Sequence, residues 1–284
     1  MIEKVKHLVH VTPRVTFDTN TLEKVVRPHL HAKDPGYSHF LAVHEALKGG
    51  DLFGFVSETT ITLEGIGRVQ RGDVFGSTTL RRSTELVTEE QLNVTLSAEQ
   101  VARQPLHPLQ AERFVEAFNL GIRLLGAPRV AMPRVEGDFY AKENPSNLNE
   151  RLDRFYKIMR EIEARELGFP RASELANRWT GRGKPNDPWY TVLGTAKDIH
   201  ETRLVARAIA EWSDADSIGA HYAYNNDVFC TLDMASGEAA RGHAAILDAN
   251  NRAWLSSTYG IKFATIEDVA RHVRASTRTA VRGR

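Results

Sequence analysis

Cysteine is almost absent from this sequence, which contains only Cys230. A single cysteine excludes an intramolecular disulfide framework and a zinc site built from several thiolates. This usage fits a reducing compartment, and we expect a cytoplasmic protein. Long apolar runs are also lacking: no stretch approaches the roughly 18 apolar residues of a membrane span, and the first residues have no apolar core of signal-peptide length. We therefore expect no membrane segment.

An excess of charge of one sign is lacking too. The chain has 37 basic and 36 acidic residues, a formal net charge of +1. Without a global field that attracts nucleic acid, any basic binding surface must be local. The 284 residues, 42% of them hydrophobic, suffice to bury a core and allow one large domain or two small ones.

Strand-like and helix-like segments alternate near the start of the chain. Residues 14–18 and 52–56 are short β-branched, aromatic and apolar runs, which predicts two buried strands. Apolar residues recur at helical spacing over 37–48, and Ser57 is a candidate N-cap for a helix through Ile66. This βαβα order is typical of a parallel sheet flanked by helices.

The same pattern returns after about residue 197. Between the two ends, the sequence favours loops with a hairpin over 72–84, helices over 109–125 and 148–166, an edge strand over 129–135 and a turn-rich loop over 178–190. Beyond it we expect helices over 198–212 and from Asp214 or Asp216 to about Tyr224, strands over 228–231 and 261–264, and a last helix opened by the capping-box spacing of Thr265 and Asp268.

Four acidic residues follow these predicted elements. Asp18 and Asp233 end strands, Glu64 lies on the helix after the second strand, and Asp216 begins a helix. Strand carboxyl ends and helix amino ends share one edge of a parallel sheet. Carboxylates gathered there repel one another unless a cation lies between them, and oxygen ligands alone select Mg²⁺ or Mn²⁺. Such a site is suited to phosphodiester hydrolysis.

Each acidic residue also has an ordinary structural interpretation. Asp18 and Asp216 serve equally as N-caps, Glu64 as part of a solvated helix face, and Asp233 as a turn residue. Glu58 competes with Glu64 because it lies at the start of the same predicted helix. Asp214 competes with Asp216 because it lies two residues earlier, near the start of the same predicted helix.

The motifs that contain these residues resemble the PIN-domain nucleases. The matching segments are Phe17-Asp18-Thr19-Asn20, the Glu64 helix, residues 216–223, residues 229–233 and the closing residues 260–269. The resemblance implies a three-layer α/β/α sandwich with a central, mainly parallel sheet. It also implies Mg²⁺- or Mn²⁺-dependent cleavage, usually of RNA, with Asp18, Glu64, Asp216 and Asp233 as metal ligands. Asn20 and Thr231 match polar positions that help to position metal-bound water.

The middle of the chain departs from the small toxin-type members of that family. We expect a PIN-like core from 14–66 and 196–270, and a largely helical insertion over 67–195 that is either a cap over the substrate or an oligomerisation element. The insertion is compatible with a homo-oligomer. An inhibitor protein is expected as a partner only if the chain acts like the toxin-type members of the family.

Local basic groups are the candidates for nucleic-acid contacts. They are Arg182 and Lys184 in the turn-rich loop, and Arg271 and Arg274 in a basic tail over 271–284. The leading hypothesis is a metal-dependent endoribonuclease. Two alternatives remain: a nuclease of DNA, as in the related flap-type enzymes, and a non-catalytic module that binds RNA or protein.

Overall fold

A computed structural model describes most of the chain. It covers residues 12–65, 71–72, 78–88, 91–100, 107–127, 135, 137–142, 147–184, 187–232 and 245–282, with the backbone alone for Glu64, 78–88, 91–100 and 276–282. Asp233 and most of the predicted edge strand 129–135 lie outside the described residues. No helix among the described residues combines the length and apolar character that crossing a membrane requires.

Five parallel strands form the central sheet, and a separate antiparallel hairpin lies between the second and third of them in the chain. The strands are β1 Arg14–Phe17, β2 Phe53–Ser57, β3 Thr78–Thr88, β4 Gln91–Gln100, β5 Arg123–Leu125, β6 Val228–Cys230 and β7 Phe263–Ala264. The order across the sheet is β5-β2-β1-β6-β7, and β3 pairs only with β4 among the described strands. The predicted parallel sheet is confirmed.

Helices cover both faces of this sheet. They are α1 Thr19–Val26, α2 Tyr37–Gly49, α3 Pro108–Asn119, α4 Leu148–Ala164, α5 Phe169–Arg178, α6 Ile199–Ala223, α7 Ala249–Tyr259 and α8 Ile266–Arg282, with 3-10 turns at Pro28–His31, Thr180–Arg182 and Trp189–Thr195 and a π turn at Thr60–Glu64.

The side chains of each strand alternate between two hydrophobic cores. Val15 and Phe17 of β1 pack into the core shared with α1, α2, α3 and α8. Phe55 of β2 and Phe229 of β6 enter the core on the other face, shared with α4, α6 and α7. Full burial of such side chains contributes about 1.5–3 kcal/mol each. The predicted α/β sandwich is therefore the fold of the chain.

The region from 196 to 224 differs from its prediction. The sequence predicted two helices separated near Asp214 or Asp216, whereas α6 runs unbroken from Ile199 to Ala223. Aspartate and serine compete with the helix backbone in short peptides, which makes them resemble a new helix start. Packing of α6 between the sheet and α4 outweighs this local preference.

The region 67–195 contributes to the central sheet. The helix predicted over 109–125 ends at Asn119, because Gly121 takes a left-handed conformation with φ of 94°, and β5 follows and pairs with β2. The remainder of this region contains the β3–β4 hairpin as well as the helices α4 and α5.

The last described residues form a helix, Ile266–Arg282. Thr265 and Asp268 form the predicted capping contacts, with Asp268 Oδ2 accepting bonds from Thr265 N at 3.0 Å and Thr265 Oγ1 at 2.7 Å. The helix α8 then continues to Arg282, so most of the predicted basic tail is helix. The predicted loop over 178–190 contains the Thr180–Arg182 turn and the start of the Trp189–Thr195 turn.

A glycine on α6 permits the close approach of α4. A β-carbon added at Gly219 would lie 2.6 Å from Met159 Sδ and 2.8 Å from Phe155 Cε2. We expect Gly219→Val to lower the free energy of unfolding by about 1–3 kcal/mol, because the buried Phe155 ring must shift. Urea denaturation measures this change. Gly181→Val is the control, since nothing lies within 4 Å of its added β-carbon. Equal stability of the two variants would contradict close α4–α6 packing.

Candidate functional site at the carboxyl edge of the sheet

The sheet reverses its direction of growth between β1 and β6. From β1 the chain adds β2 and then β5 on one side, and later adds β6 and β7 on the other. Ligands of open α/β sheets bind outside the carboxyl ends of the strands at such a switch point. Because Phe17 pairs with Cys230, the residues that follow them, Asp18 and Thr231, are neighbours at that position.

Hydrogen bonds of its backbone and of both carboxylate oxygens hold Asp18 in place. Its backbone N–H donates to the Cys230 carbonyl at 2.9 Å. Its Oδ1 accepts from the Thr19 N–H at 2.7 Å as the N-cap of α1, and its Oδ2 accepts from Thr231 Oγ1 at 2.7 Å. Asp18 is therefore both a cap and a buried carboxylate, with 7% of its surface exposed. Each carboxylate oxygen has two acceptor positions, so these bonds are compatible with a cation ligand.

Asn20 ties the chain beyond β6 to the start of α1. Its Oδ1 accepts a hydrogen bond from the Leu232 N–H at 3.1 Å. Leu232 directly precedes Asp233. Of the two residues expected to act as accessory polar residues, Asn20 thus contacts the residue before Asp233, and Thr231 contacts Asp18 itself.

Glu58 is the buried glutamate at the end of β2. It follows Ser57 directly and has no exposed surface. Ser57 is the last residue of the strand, and its Oγ lies 2.7 Å from Thr59 Oγ1. The backbone of Glu64 ends the π turn, which the Gly65 N–H closes by donating to the Thr60 carbonyl at 2.8 Å. The side chain of Glu64 lies outside the described part of the chain, so the structure does not decide between Glu58 and Glu64.

Asp216 lies in the middle of α6 and is fully buried. Ser213 and Ser217 are one turn and one residue away, and both are buried as well. The helix packs against β2 and against the π turn that follows it. Asp214, the competing candidate, is only half-buried. Asp216 is consequently the aspartate of this helix that belongs to the protein interior, although it is not the helix cap that the sequence predicted.

Three of the candidate carboxylates therefore lie on neighbouring elements: Asp18 after β1, Glu58 after β2 and Asp216 on the helix that packs against β2. Among the side chains that the structure describes, no three histidines, cysteines, aspartates or glutamates are grouped closely enough to hold a metal ion. The predicted set of Asp18, Glu64, Asp216 and Asp233 includes two side chains outside that description, so its geometry stays a prediction.

Most of the predicted nucleic-acid contacts are engaged within the protein. Arg182 binds Glu201 through two hydrogen bonds of 2.8 and 2.7 Å, and this guanidinium holds the pKa of Glu201 at about 2. Arg271 donates to Asp268 at 2.6 Å, and Arg274 donates to the Ser38 carbonyl at 2.9 Å. Lys184 is exposed.

A buried polar network that the sequence did not indicate joins β1 to α6. Thr16 Oγ1 lies 2.9 Å from His221 Nδ1 and accepts from Asn226 Nδ2 at 2.8 Å. Burial, together with the nearby charge of Arg154, lowers the pKa of His221 to about 3. Thr16 and His221 are 205 positions apart in the chain. The only local sign of this contact in the sequence was a threonine in the middle of a buried strand. It fixes the helix that carries Asp216 against the strand that leads to Asp18.

Comparisons of the chain with models of protein families, with curated proteins and with solved structures found no match.

The buried His221 should make stability depend on pH. Its pKa is depressed on folding, so the unfolded chain binds a proton first, and stability falls as the pH drops from about 6.5 towards 3. Between pH 7 and pH 5 we expect a loss of about 2 kcal/mol in wild type. Urea denaturation should show a smaller loss in His221→Gln. The exposed His200 provides the control, since His200→Gln should retain the wild-type loss. A pH profile that is unchanged in His221→Gln would contradict a neutral buried imidazole.

Proposed function

We propose that the protein is a metal-dependent nuclease, and that it hydrolyses RNA phosphodiester bonds as an endoribonuclease. The observation that supports this most is the fixed Asp18 carboxylate at the switch point, with buried Glu58 and Asp216 on the adjacent elements. Buried carboxylates on one edge of a sheet repel one another, and a divalent cation offsets that repulsion.

The donor chemistry fits Mg²⁺ or Mn²⁺. All the candidate ligands are carboxylate oxygens: Asp18, Asp216, Asp233, and either Glu58 or Glu64. These hard ligands select Mg²⁺ or Mn²⁺ over metals that prefer sulfur or imidazole. When bound, such a cation lowers the pKa of a water and neutralises charge on the phosphate.

The residues of the chain itself would orient the site. Thr231 and the Thr19 N–H donate to the two oxygens of Asp18 and so fix the plane of that carboxylate. Asn20 anchors the segment that leads to Asp233. The Thr16–His221 contact holds α6 against β1. Each contact reduces the reorganisation needed when a charged substrate arrives.

A Mn²⁺ titration by calorimetry tests the cation site directly. Asp18→Asn and Asp216→Asn each remove one negative ligand, and we expect Mn²⁺ affinity to fall at least tenfold in both variants. Asp214→Asn is the matched control, because Asp214 lies on the same helix but is only half-buried, and its affinity should equal that of wild type. Without metal, Asp18→Asn should not unfold the protein, because it relieves repulsion between carboxylates.

Bound Mn²⁺ should also raise the stability of wild type. At a concentration one hundred times Kd the gain is about 2.7 kcal/mol, and it should be absent in Asp18→Asn. Wild-type protein that binds no Mn²⁺ with or without an uncleavable oligonucleotide would contradict the proposal. So would a loss of affinity in Asp214→Asn that equals the loss in Asp216→Asn.

The rates at which matched RNA and DNA strands are cleaved show which of the two is the substrate. We expect end-labelled single-stranded RNA to be cut in Mn²⁺, with a rate at least a hundredfold lower in Asp18→Asn and Asp216→Asn. A DNA strand of the same sequence is the comparison. Faster cleavage of DNA would favour the flap-type alternative. A well-folded protein that cleaves neither strand would contradict the nuclease proposal.

One observation favours a non-catalytic binding module instead. No three acidic or histidine side chains within the described part of the chain are grouped as metal ligands. This alternative predicts nucleic-acid binding without Mn²⁺ binding or turnover, so the calorimetric titration and the cleavage assay separate it from a nuclease.

We also propose that the protein is cytoplasmic. Its single cysteine, Cys230, is buried and free, which is consistent with a reducing compartment.

A further inference from the structure

Trp189 lies on the protein surface and is supported from behind by other aromatic rings. Its ring meets Phe169 edge-on at 5.2 Å between centroids, meets Tyr190 edge-on at 5.7 Å, and lies tilted by 34° against Trp212 at 6.5 Å. Tyr190 and Trp212 are buried, whereas Trp189 keeps 37% of its surface exposed. The orientation of the exposed indole is therefore fixed before anything binds to it.

The segment of sequence that contains Trp189 has more basic than acidic residues. Residues 171–197 contain five basic residues and two acidic ones, whereas the whole chain is nearly neutral. Arg178 and Arg182 are held in ion pairs with Glu174 and Glu201. Lys184, in contrast, is exposed, and it has no ion pair among the described residues.

A glycine brings Lys184 close to the turn that carries Trp189. A β-carbon on Gly183 would lie 2.8 Å from Val192 Cγ1, so only a residue without a side chain permits this approach. Lys184 follows Gly183 directly, and Val192 belongs to the Trp189–Thr195 turn. The exposed ammonium group and the exposed indole therefore belong to two segments that pack against each other.

The same aromatic cluster reaches the carboxyl edge of the sheet. Trp212, which supports Trp189, lies on α6 one turn before Asp216, a rise of about 6 Å. Leu63 of the π turn after β2 packs into the hydrophobic cluster that contains Trp212 and Tyr190. Trp189 is thus joined through Trp212 to the helix that carries Asp216, and the cluster that contains Trp212 also includes Leu63 of the π turn.

We propose that Trp189 is a stacking platform for an unpaired base of single-stranded nucleic acid, with Lys184 beside the phosphate backbone. The inference rests on the proposed nuclease function and specifies its substrate as single-stranded. Every base presents a flat face to an indole, so this contact is tolerant of sequence. In a duplex all bases except those at the two ends are already stacked on both faces, so a duplex gains little from Trp189.

Binding in EDTA tests the platform without any contribution from cleavage. The probe is a fluorescein-labelled single-stranded 12-nucleotide uridine RNA, and its affinity is measured by anisotropy for wild type, Trp189→Ala and Trp189→Phe. We expect Trp189→Ala to weaken binding about tenfold or more, because loss of one stacked base costs that much. Trp189→Phe should retain most of the affinity, since it keeps an aromatic face.

Three controls make the result specific. Tyr156→Ala removes an exposed aromatic side chain from α4, 42% exposed, and should leave the affinity unchanged. A 12-base-pair duplex should bind Trp189→Ala and wild type equally. Lys184→Gln should reduce the dependence of affinity on salt, because it removes one phosphate contact. Circular dichroism and the urea midpoint establish that each variant is folded.

Fluorescence quenching gives a readout that a purely structural role would not change. Saturating RNA should quench the tryptophan emission of wild type, and most of this quenching should disappear in Trp189→Phe while binding persists. The proposal is overturned if wild type does not bind the single strand, if Trp189→Ala binds it as wild type does, or if quenching is the same in Trp189→Phe.

The outcome is independent of the cation site. The binding assay is carried out in EDTA and needs no cation, so its result does not depend on whether the candidate carboxylates hold Mn²⁺. If Mn²⁺ binding and turnover fail but Trp189 binds RNA, the protein is a binding module that contains this platform. If Mn²⁺ binding and turnover succeed while Trp189→Ala binds RNA normally, the nuclease proposal stands and the platform does not.

Discussion

The candidate site depends on the hydrogen bonds that the Asp18 carboxylate accepts. It joins the end of β1 to α1 through the Thr19 N–H and to the end of β6 through the Thr231 hydroxyl. These strands are neighbours where the sheet changes its direction of growth. One side chain therefore links the two strand ends that border the crevice at the switch point. Without such donors, a carboxylate at 7% exposure would be costly to bury.

The elements around Asp18 are arranged to bring further acidic groups into the interior. Glu58 follows β2 directly, and the long helix α6 carries Asp216 past β2 and the π turn. The close contact at Gly219 lets α4 hold α6 from outside, while Thr16 and His221 hold it from the sheet. Buried polar groups of this kind reduce stability unless they are satisfied, and they are typical of sites that bind a charged ligand.

Local sequence signals predicted the parts of the fold that depend on periodicity. The helix over 37–49, the strands β1 and β2 and the Thr265 cap were all predicted to within a few residues. The three residues of β5 are too few to show a period, so a helix was predicted through them. The helix α6 stays continuous because it is packed from two sides. The sequence does not show this packing, and Asp216 resembles a helix cap, so a break was predicted there. The Thr16–His221 bond and the aromatic support of Trp189 join distant residues and leave no local pattern.

The most direct test of the account is a crystal of the protein soaked in millimolar Mn²⁺, with diffraction data collected at a wavelength where manganese scatters anomalously. The account predicts an anomalous peak within coordination distance of Asp18 and Asp216, at the carboxyl end of β1, together with a visible position for Asp233. A fully occupied peak elsewhere on the surface, or no peak at this edge of the sheet, would contradict it.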